Sequence, residues 1–195
     1  MADGRKITRR RLLAGAAWTA CAAAGGKALG VWASKRAGSL RPPGASNELD
    51  FLAACIRCGQ CVQVCPHESL SLQDLWSGPS AGSPEVDSRN NPCRLCEGLD
   101  ELLCIEICPS GALAEVQDRR SIRMGTAVID EERCLAFNKQ ICRACWHACP
   151  FLDEAIQLKR NRPVIVADIC VGCGICDWAC LTEPSSIRMV PVGET

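Results

Sequence analysis

"CIRCGQCVQVCP", residues 55–66, sets four cysteines at steps of three, three and four and closes on a proline. Two residues between each of the first three let the backbone curl around a common centre, with amides turned toward the sulfurs. A helical turn then carries the fourth sulfur away from that centre. The proline ends the turn, because it has no amide hydrogen for the next helical bond. The stretch therefore reads as a loop, a short helix and a stop, with three thiols for one site and a fourth for a neighbouring one.

The same phrase returns three more times. The first group is Cys55, Cys58, Cys61 and Cys65, before Pro66. The second, Cys93, Cys96, Cys104 and Cys108 before Pro109, has a stretched middle gap. The third, Cys134, Cys142, Cys145 and Cys149 before Pro150, has a stretched first gap. The fourth, Cys170, Cys173, Cys176 and Cys180, is compact again and lacks the proline. Sixteen of the seventeen cysteines fall in these groups, in a chain with three Phe and no Tyr. Large apolar fillers are scarce, so the sulfur sites themselves must occupy much of the interior.

Three chemistries use so much cysteine: disulfides, structural zinc and iron–sulfur clusters. A tetrahedral zinc site wants four ligands in two separated knuckles, and has no use for a third cysteine at the same step. A disulfide framework does not require triplets closed by C-x3-C-P. In two-cluster bacterial ferredoxins this run gives three sulfurs to one cluster and the fourth to the other. The four groups thus predict four 4Fe–4S clusters, with all sixteen cysteines as ligands.

Around each group lie short apolar stretches. "ESLSL", "SGALAEV", "DEAIQLK" and "PSSIRMV" follow the four groups, while "TAVIDEERC" and "PVIVADIC" lead into the last two and are rich in branched residues suited to strands. The expected fold is α+β: bacterial ferredoxin-like modules, tandem or nested, with short strands and helices around the clusters. Consecutive pairing would join the first group with the second and the third with the fourth. Nested pairing would join first with fourth and second with third. Compact groups are outermost and stretched ones inside, so the spacing favours nesting. The expected ligand sets are then Cys55, Cys58, Cys61 with Cys180; Cys170, Cys173, Cys176 with Cys65; Cys93, Cys96, Cys104 with Cys149; and Cys134, Cys142, Cys145 with Cys108. Residues 110–134 would form a hairpin-like connection inside the central pair.

Residues 1–41 carry nine Lys/Arg against one acid, while residues 42–195 carry 13 Lys/Arg against 21 Asp/Glu, a net of −8. An acidic body is the wrong sign for nucleic acid. The opening "MADGRKITRRRLLAGAAWTACAAAGG" is a basic stretch followed by an apolar run too short and too rich in Ala and Gly for a membrane span. It reads as an export signal of the twin-arginine type, read by a route for already folded cargo, with Cys21 a passenger within it. Residues 1–41 are accordingly expected to be signal and linker, and 42–195 the cluster domain. Residues 34–47 and 77–92, rich in Gly, Ser and Pro, read as solvated linkers.

With the twin-arginine start, "LRPPGA" at 40–45, "CPSGAL" at 108–113, "RMGTAVID" at 123–130 and the closing "CVGCGICDWAC", the chain resembles the NapG/MauM-type periplasmic four-cluster ferredoxins. That resemblance implies electron transfer on the periplasmic side. The donor it implies is a membrane quinol-oxidising iron–sulfur protein of NapH/MauN type. The acceptor is a periplasmic cytochrome or terminal oxidoreductase of nitrate reduction or methylamine oxidation. An assembly factor that helps a partner enzyme mature is the alternative. No nucleotide-binding loop or nucleophile–base pair is evident, so no catalytic site is expected. Trp146 and Trp178 are expected to pack beside cluster sulfurs. His67 and His147, which flank ligand cysteines, are expected as surface or neighbouring groups rather than ligands.

Overall fold

The computed structural model describes residues 39–193. The export-signal reading of the N-terminal segment lies outside the described residues. Among these residues are five short helices, α1 (Glu48–Ala54), α2 (Gln60–Val64), α3 (Leu103–Glu106), α4 (Ala144–Ala148) and α5 (Ile175–Trp178), interspersed with six strands. The strands are β1 (Leu70–Leu72), β2 (Pro84–Val86), β3 (Gly125–Ile129), β4 (Ile156–Lys159), β5 (Arg162–Ile165) and β6 (Ile187–Pro191). This mixed architecture agrees with the expected α+β class. Each of α2 to α5 is too short to be stable alone, so packing rather than propensity maintains it.

The strands form three two-stranded antiparallel ladders, and their pairing decides the topology. β1 pairs with β2, from Leu70 opposite Val86 to Leu72 opposite Pro84. β4 pairs with β5 through a two-residue turn in which Arg160 and Asn161 both adopt positive φ, as a hairpin twisted with its strands requires. Each of these ladders lies between consecutive cysteine groups: the first with the second, the third with the fourth. β3, which precedes the third group, pairs with β6, which follows the fourth. In the first half the equivalent outer pairing is reduced to one bridge, Ala45 opposite Leu113, supported by the Ala114 amide donating to the Gly44 carbonyl at 2.7 Å.

The molecule is therefore two tandem modules, not a nested pair. Residues 110–134 make no hairpin: Leu113 returns to Ala45 and β3 departs for β6. The symmetry of the spacing misleads because the stretched gaps are insertions in loops, which say nothing of a distant partner.

The domain starts before the boundary expected at residue 41. Leu40, Arg41, Pro42 and Pro43 are buried, and the Leu40 carbonyl accepts from the Val86 amide at 2.8 Å. Arg41 grips Glu48 with two nitrogens, at 2.7 and 2.5 Å, and donates to Ser83 Oγ and the Pro84 carbonyl at 2.9 Å each. Asn47 caps α1 by accepting from the Asp50 amide at 3.1 Å, and Phe51 buries the inner face of that helix. The 77–92 segment is likewise no solvated linker. Ser83, Pro84 and Val86 are buried in it, and Ser88 and Arg89 reach the second module.

Candidate metal centres

The helices carry the cysteines into four sets of four. In α2, Cys61 faces one site and Cys65, just past the helix end, faces another; α3 does the same in the opposite direction with Cys104 and Cys108. Cys55, Cys58, Cys61 and Cys108 line one cavity, here set A. Cys65, Cys93, Cys96 and Cys104 line a second, set B. Cys134, Cys142, Cys145 and Cys180 line a third, set D. The four that are left, Cys149, Cys170, Cys173 and Cys176, act on one another's ionisation, as Cys145 of set D also does on Cys176, and form set C. The expected sets are corrected accordingly. Cys65 lies with Cys93 and Cys96, not with Cys170; Cys180 lies with Cys134, not with Cys55; Cys149 lies with Cys170, not with Cys93; and Cys108 lies with Cys55, not with Cys134.

The sets are arranged in the order A, B, C, D. α2 and α3 are shared by A and B, and α4 and α5 by C and D. Between modules, the Cys93 amide donates to the Cys173 carbonyl at 2.9 Å, joining B to C. Around this junction Ser88 Oγ donates to Asp177 Oδ2 at 2.6 Å. Arg89 donates to the carbonyls of Asp177, Cys180 and Thr182 and pairs with Glu183 at 2.5 Å. The inner sets are the more enclosed. Three cysteines of B and three of C are buried, whereas A has none buried and Cys58 is exposed.

Burial dominates the ionisation of these thiols. It pushes Cys61 up to about 11 and Cys104, Cys145 and Cys173 up to about 12, with neighbouring sulfurs adding to the shift. Cys93 and Cys176 are raised further for the same reason. Two thiols at the far ends of the shared helices behave differently. At Cys180 burial is outweighed by hydroxyls of Ser186 and Thr182, each 3.2 Å from Sγ, together with the Thr182 amide and Ser185, and the thiol falls to about 7. At Cys108 burial is likewise outweighed, by amides of Leu113, Ser110 and Ala112 and the Ser110 hydroxyl. These donors favour a thiolate at each position.

The donor sets suit clusters better than single ions. Among the described residues no group of three or more His, Cys, Asp or Glu is placed to hold one metal ion. Thiolates sharing one zinc stand about 3.8 Å apart, given Zn–S bonds of about 2.3 Å, and the corners of an iron–sulfur cube lie farther apart. All sixteen described cysteines are unbridged. A cavity of about 580 Å³ has no cysteine in its lining; Asp100, Glu101, Glu106, Glu115 and Asp118 make its wall acidic.

Residues 54–112 match the 4Fe–4S dicluster domain, a span that contains both groups of the first module and stops there. The ferredoxin-type protein NapG of Escherichia coli (strain K12) is 43% identical over 94% of this chain and 86% of its own. The methylamine utilization ferredoxin-type proteins MauM of Methylorubrum extorquens and Paracoccus denitrificans are 37% and 36% identical, each over 98% of this chain, and over 87% and 91% of their own. The chain belongs to the NapG/MauM family of ferredoxin-type proteins. As a NapG/MauM protein it is an iron–sulfur electron carrier of the 4Fe–4S type. Among the described residues no helix is long and apolar enough to cross a membrane.

Sequence reasoning placed some neighbouring side chains wrongly. Trp178 is not packed inside; it is 46% exposed, with the Arg94 guanidinium of the first module 5.1 Å from its ring centroid. Trp146, half-buried, does pack against the core that holds Cys145, as expected, and donates Nε1–H to Asp153 at 2.8 Å. The two histidines divide the expectation between them: His147 is exposed at the surface, and His67, with its Nε2 shut off from solvent, neighbours set B. Ser88 and Arg89 carried no sequence signal, because their partners lie about ninety positions away.

Proposed function

We propose that the chain is a four-cluster relay, with a 4Fe–4S cluster held by each of sets A, B, C and D. Each bound cluster supplies one reversible one-electron step. The protein's part is to align the sets, exclude water from B and C, and direct hydroxyls and amides at Cys108 and Cys180. It has no catalytic site of its own. Electrons pass between a membrane quinol-oxidising iron–sulfur protein and a periplasmic cytochrome or terminal oxidoreductase of nitrate reduction or methylamine oxidation. The N-terminal segment directs export of the loaded, folded protein by the twin-arginine route.

The observation that supports this best is the gathering of sixteen thiols into four sets, with B and C abutting at Cys93 and Cys173. A relay also needs accessible ends. Ile56 beside set A is 64% exposed, and Ile141 and Leu181 beside set D are 88% and 70% exposed, which provides an apolar contact surface at each terminus. Anaerobically purified protein should hold about sixteen iron and sixteen acid-labile sulfide per chain, four of each per cluster. After dithionite its paramagnetic resonance should show interacting spins, and rapid mixing with an oxidised acceptor should reoxidise it at turnover rates. Protein that returns two clusters, or that stays reduced beside every periplasmic acceptor, contradicts the proposal.

A further inference from the structure

The two modules place different residues at one equivalent position beside their inner sets. Cys65 is followed by Pro66 and His67, and Cys149 by Pro150 and Phe151. Both segments then lead into the first strand of an inner hairpin, β1 or β4. Phe151 is buried and carries the Arg120 guanidinium 5.3 Å from its ring centroid. It has no polar hydrogen to offer set C.

His67 is different. It lines the set B cavity with Cys65, Cys93, Cys96 and Cys104, and its Nε2 is closed to solvent with no hydrogen-bond partner among the described residues. Burying an imidazole nitrogen without a partner is costly, so such atoms normally have one. The polar neighbours are already engaged: Ser69 Oγ donates to the Pro92 carbonyl at 2.8 Å, and the Ser69 amide approaches Cys65 Sγ at 3.4 Å. Besides the Ser69 hydroxyl, which makes no bond to Nε2, the side-chain acceptors lining this cavity are the cysteine sulfurs.

We propose that His67 donates its Nε2–H to a sulfur of the cluster held by set B, making that cluster easier to reduce than its counterpart in set C. The proposal rests on the cluster reading above. Reduction adds negative charge to the cluster, so a hydrogen bond to its sulfur stabilises the reduced form more than the oxidised one and raises the potential. Nε2 must then be a protonated ring nitrogen. His67 is a positioning donor; it ligates no iron, since set B already has four thiols.

Two variants test this: His67→Phe, which copies position 151, and His67→Gln, which keeps an N–H donor. Iron and sulfide are measured first. Wild-type protein lacking clusters would sink the relay reading itself, not this proposal. In loaded protein, potentiometric titration followed by paramagnetic resonance should show one of the clusters in His67→Phe harder to reduce by about tenfold in equilibrium constant, or about 59 mV for one electron. His67→Gln should recover most of that shift. Histidine labelled with 15N should give spin-echo modulation from one reduced cluster in the wild type and none in His67→Phe; the other histidine, His147, is exposed. Unchanged potentials in fully loaded His67→Phe, or equal shifts in both variants, overturn the proposal. If His67→Phe fails to load, the Gln variant and the modulation experiment decide.

Discussion

The two modules use one plan with different finish. In each, an inner hairpin joins two cysteine groups and two helices exchange their last sulfurs between neighbouring sites. The second module closes its outer edge with the five-residue ladder of β3 and β6, whereas the first makes do with the bridge of Ala45 to Leu113 and is clamped by Arg41 instead. Set A has an exposed cysteine, while every cysteine of set C except the shared Cys149 is buried. Identical sets of thiols in unlike surroundings give unlike sites. On the proposed relay reading, the cysteines specify what is bound, and the residues between them specify how dry, how charged and how easily reduced each site is.

The largest effect expected on this comparison concerns which sulfurs share a site. Replacing Cys55 and Cys108 together by Ser touches set A alone, and should cost about four iron atoms per chain. Replacing Cys55 and Cys180 together touches sets A and D, and should cost about eight. Nested pairing demands the reverse order. Iron and sulfide assays on the two double variants distinguish them directly, and resonance spectra should show the second module intact in the first variant.

A smaller effect separates two glycines that look alike in sequence. Gly59 and Gly174 each precede a helix at positive φ, at 72° and 83°. A Cβ on Gly59 would find only Leu72 Cδ1 at 3.8 Å, whereas on Gly174 it would meet Ser88 Cβ at 2.5 Å and Cα at 3.0 Å. Gly59→Ala should therefore cost the left-handed strain alone, about 1–2 kcal/mol. Gly174→Ala must also push the modules apart, and about 3 kcal/mol or more is expected. Anaerobic urea unfolding measures both; equal costs would mean that the junction yields freely.

Arg89 tests the junction from the polar side. Its guanidinium satisfies carbonyls at the end of α5 and pairs with Glu183. Its side chain is 33% exposed, so solvent weakens the ion pair, and the hydrogen bonds carry most of the value. Arg89→Ala should lower stability by about 2 kcal/mol. It should also speed amide exchange around residues 177–182 while leaving that of α1 unchanged. Equal acceleration in both places would indicate that the modules unfold as one.

Much of this was legible in the cysteine spacing alone. The four groups, the short helices ended by proline and five of the six strands follow from local pattern, because both a C-x2-C loop and a branched run act on their own backbone. Pairing was not legible. It depends on which strands meet, and β3 finds β6 nearly sixty residues away. The burial of Leu40 to Pro43 was hidden because a proline pair reads as a linker whether it crosses solvent or lies against a core. His67 could be noticed beside Cys65, yet only the enclosed Nε2 gives it a role. Ser88, Arg89 and Gly174 lack any local mark of the junction they form.

The smallest expected effect lies where Phe151 stands opposite His67. Arg120 covers the Phe151 ring and donates to both oxygens of Glu154, at 3.2 and 2.8 Å. The hydrogen bonds from Arg120 hold the Glu154 carboxyl below its usual 4.5, with the charge of Arg120 helping. A carboxyl depressed in the folded state binds its proton more readily in the unfolded chain. Its contribution is therefore complete above the unfolded value and declines as pH falls through the folded one. Both side chains are exposed, so the contribution is small and screened by salt. Urea midpoints of wild type and Glu154→Gln, measured without oxygen on either side of pH 4.5, should differ slightly above it and converge below it. A difference that persists unchanged in acid would place the benefit of Glu154 outside its charge, leaving the Arg120 stack on Phe151 as what fixes that segment over set C.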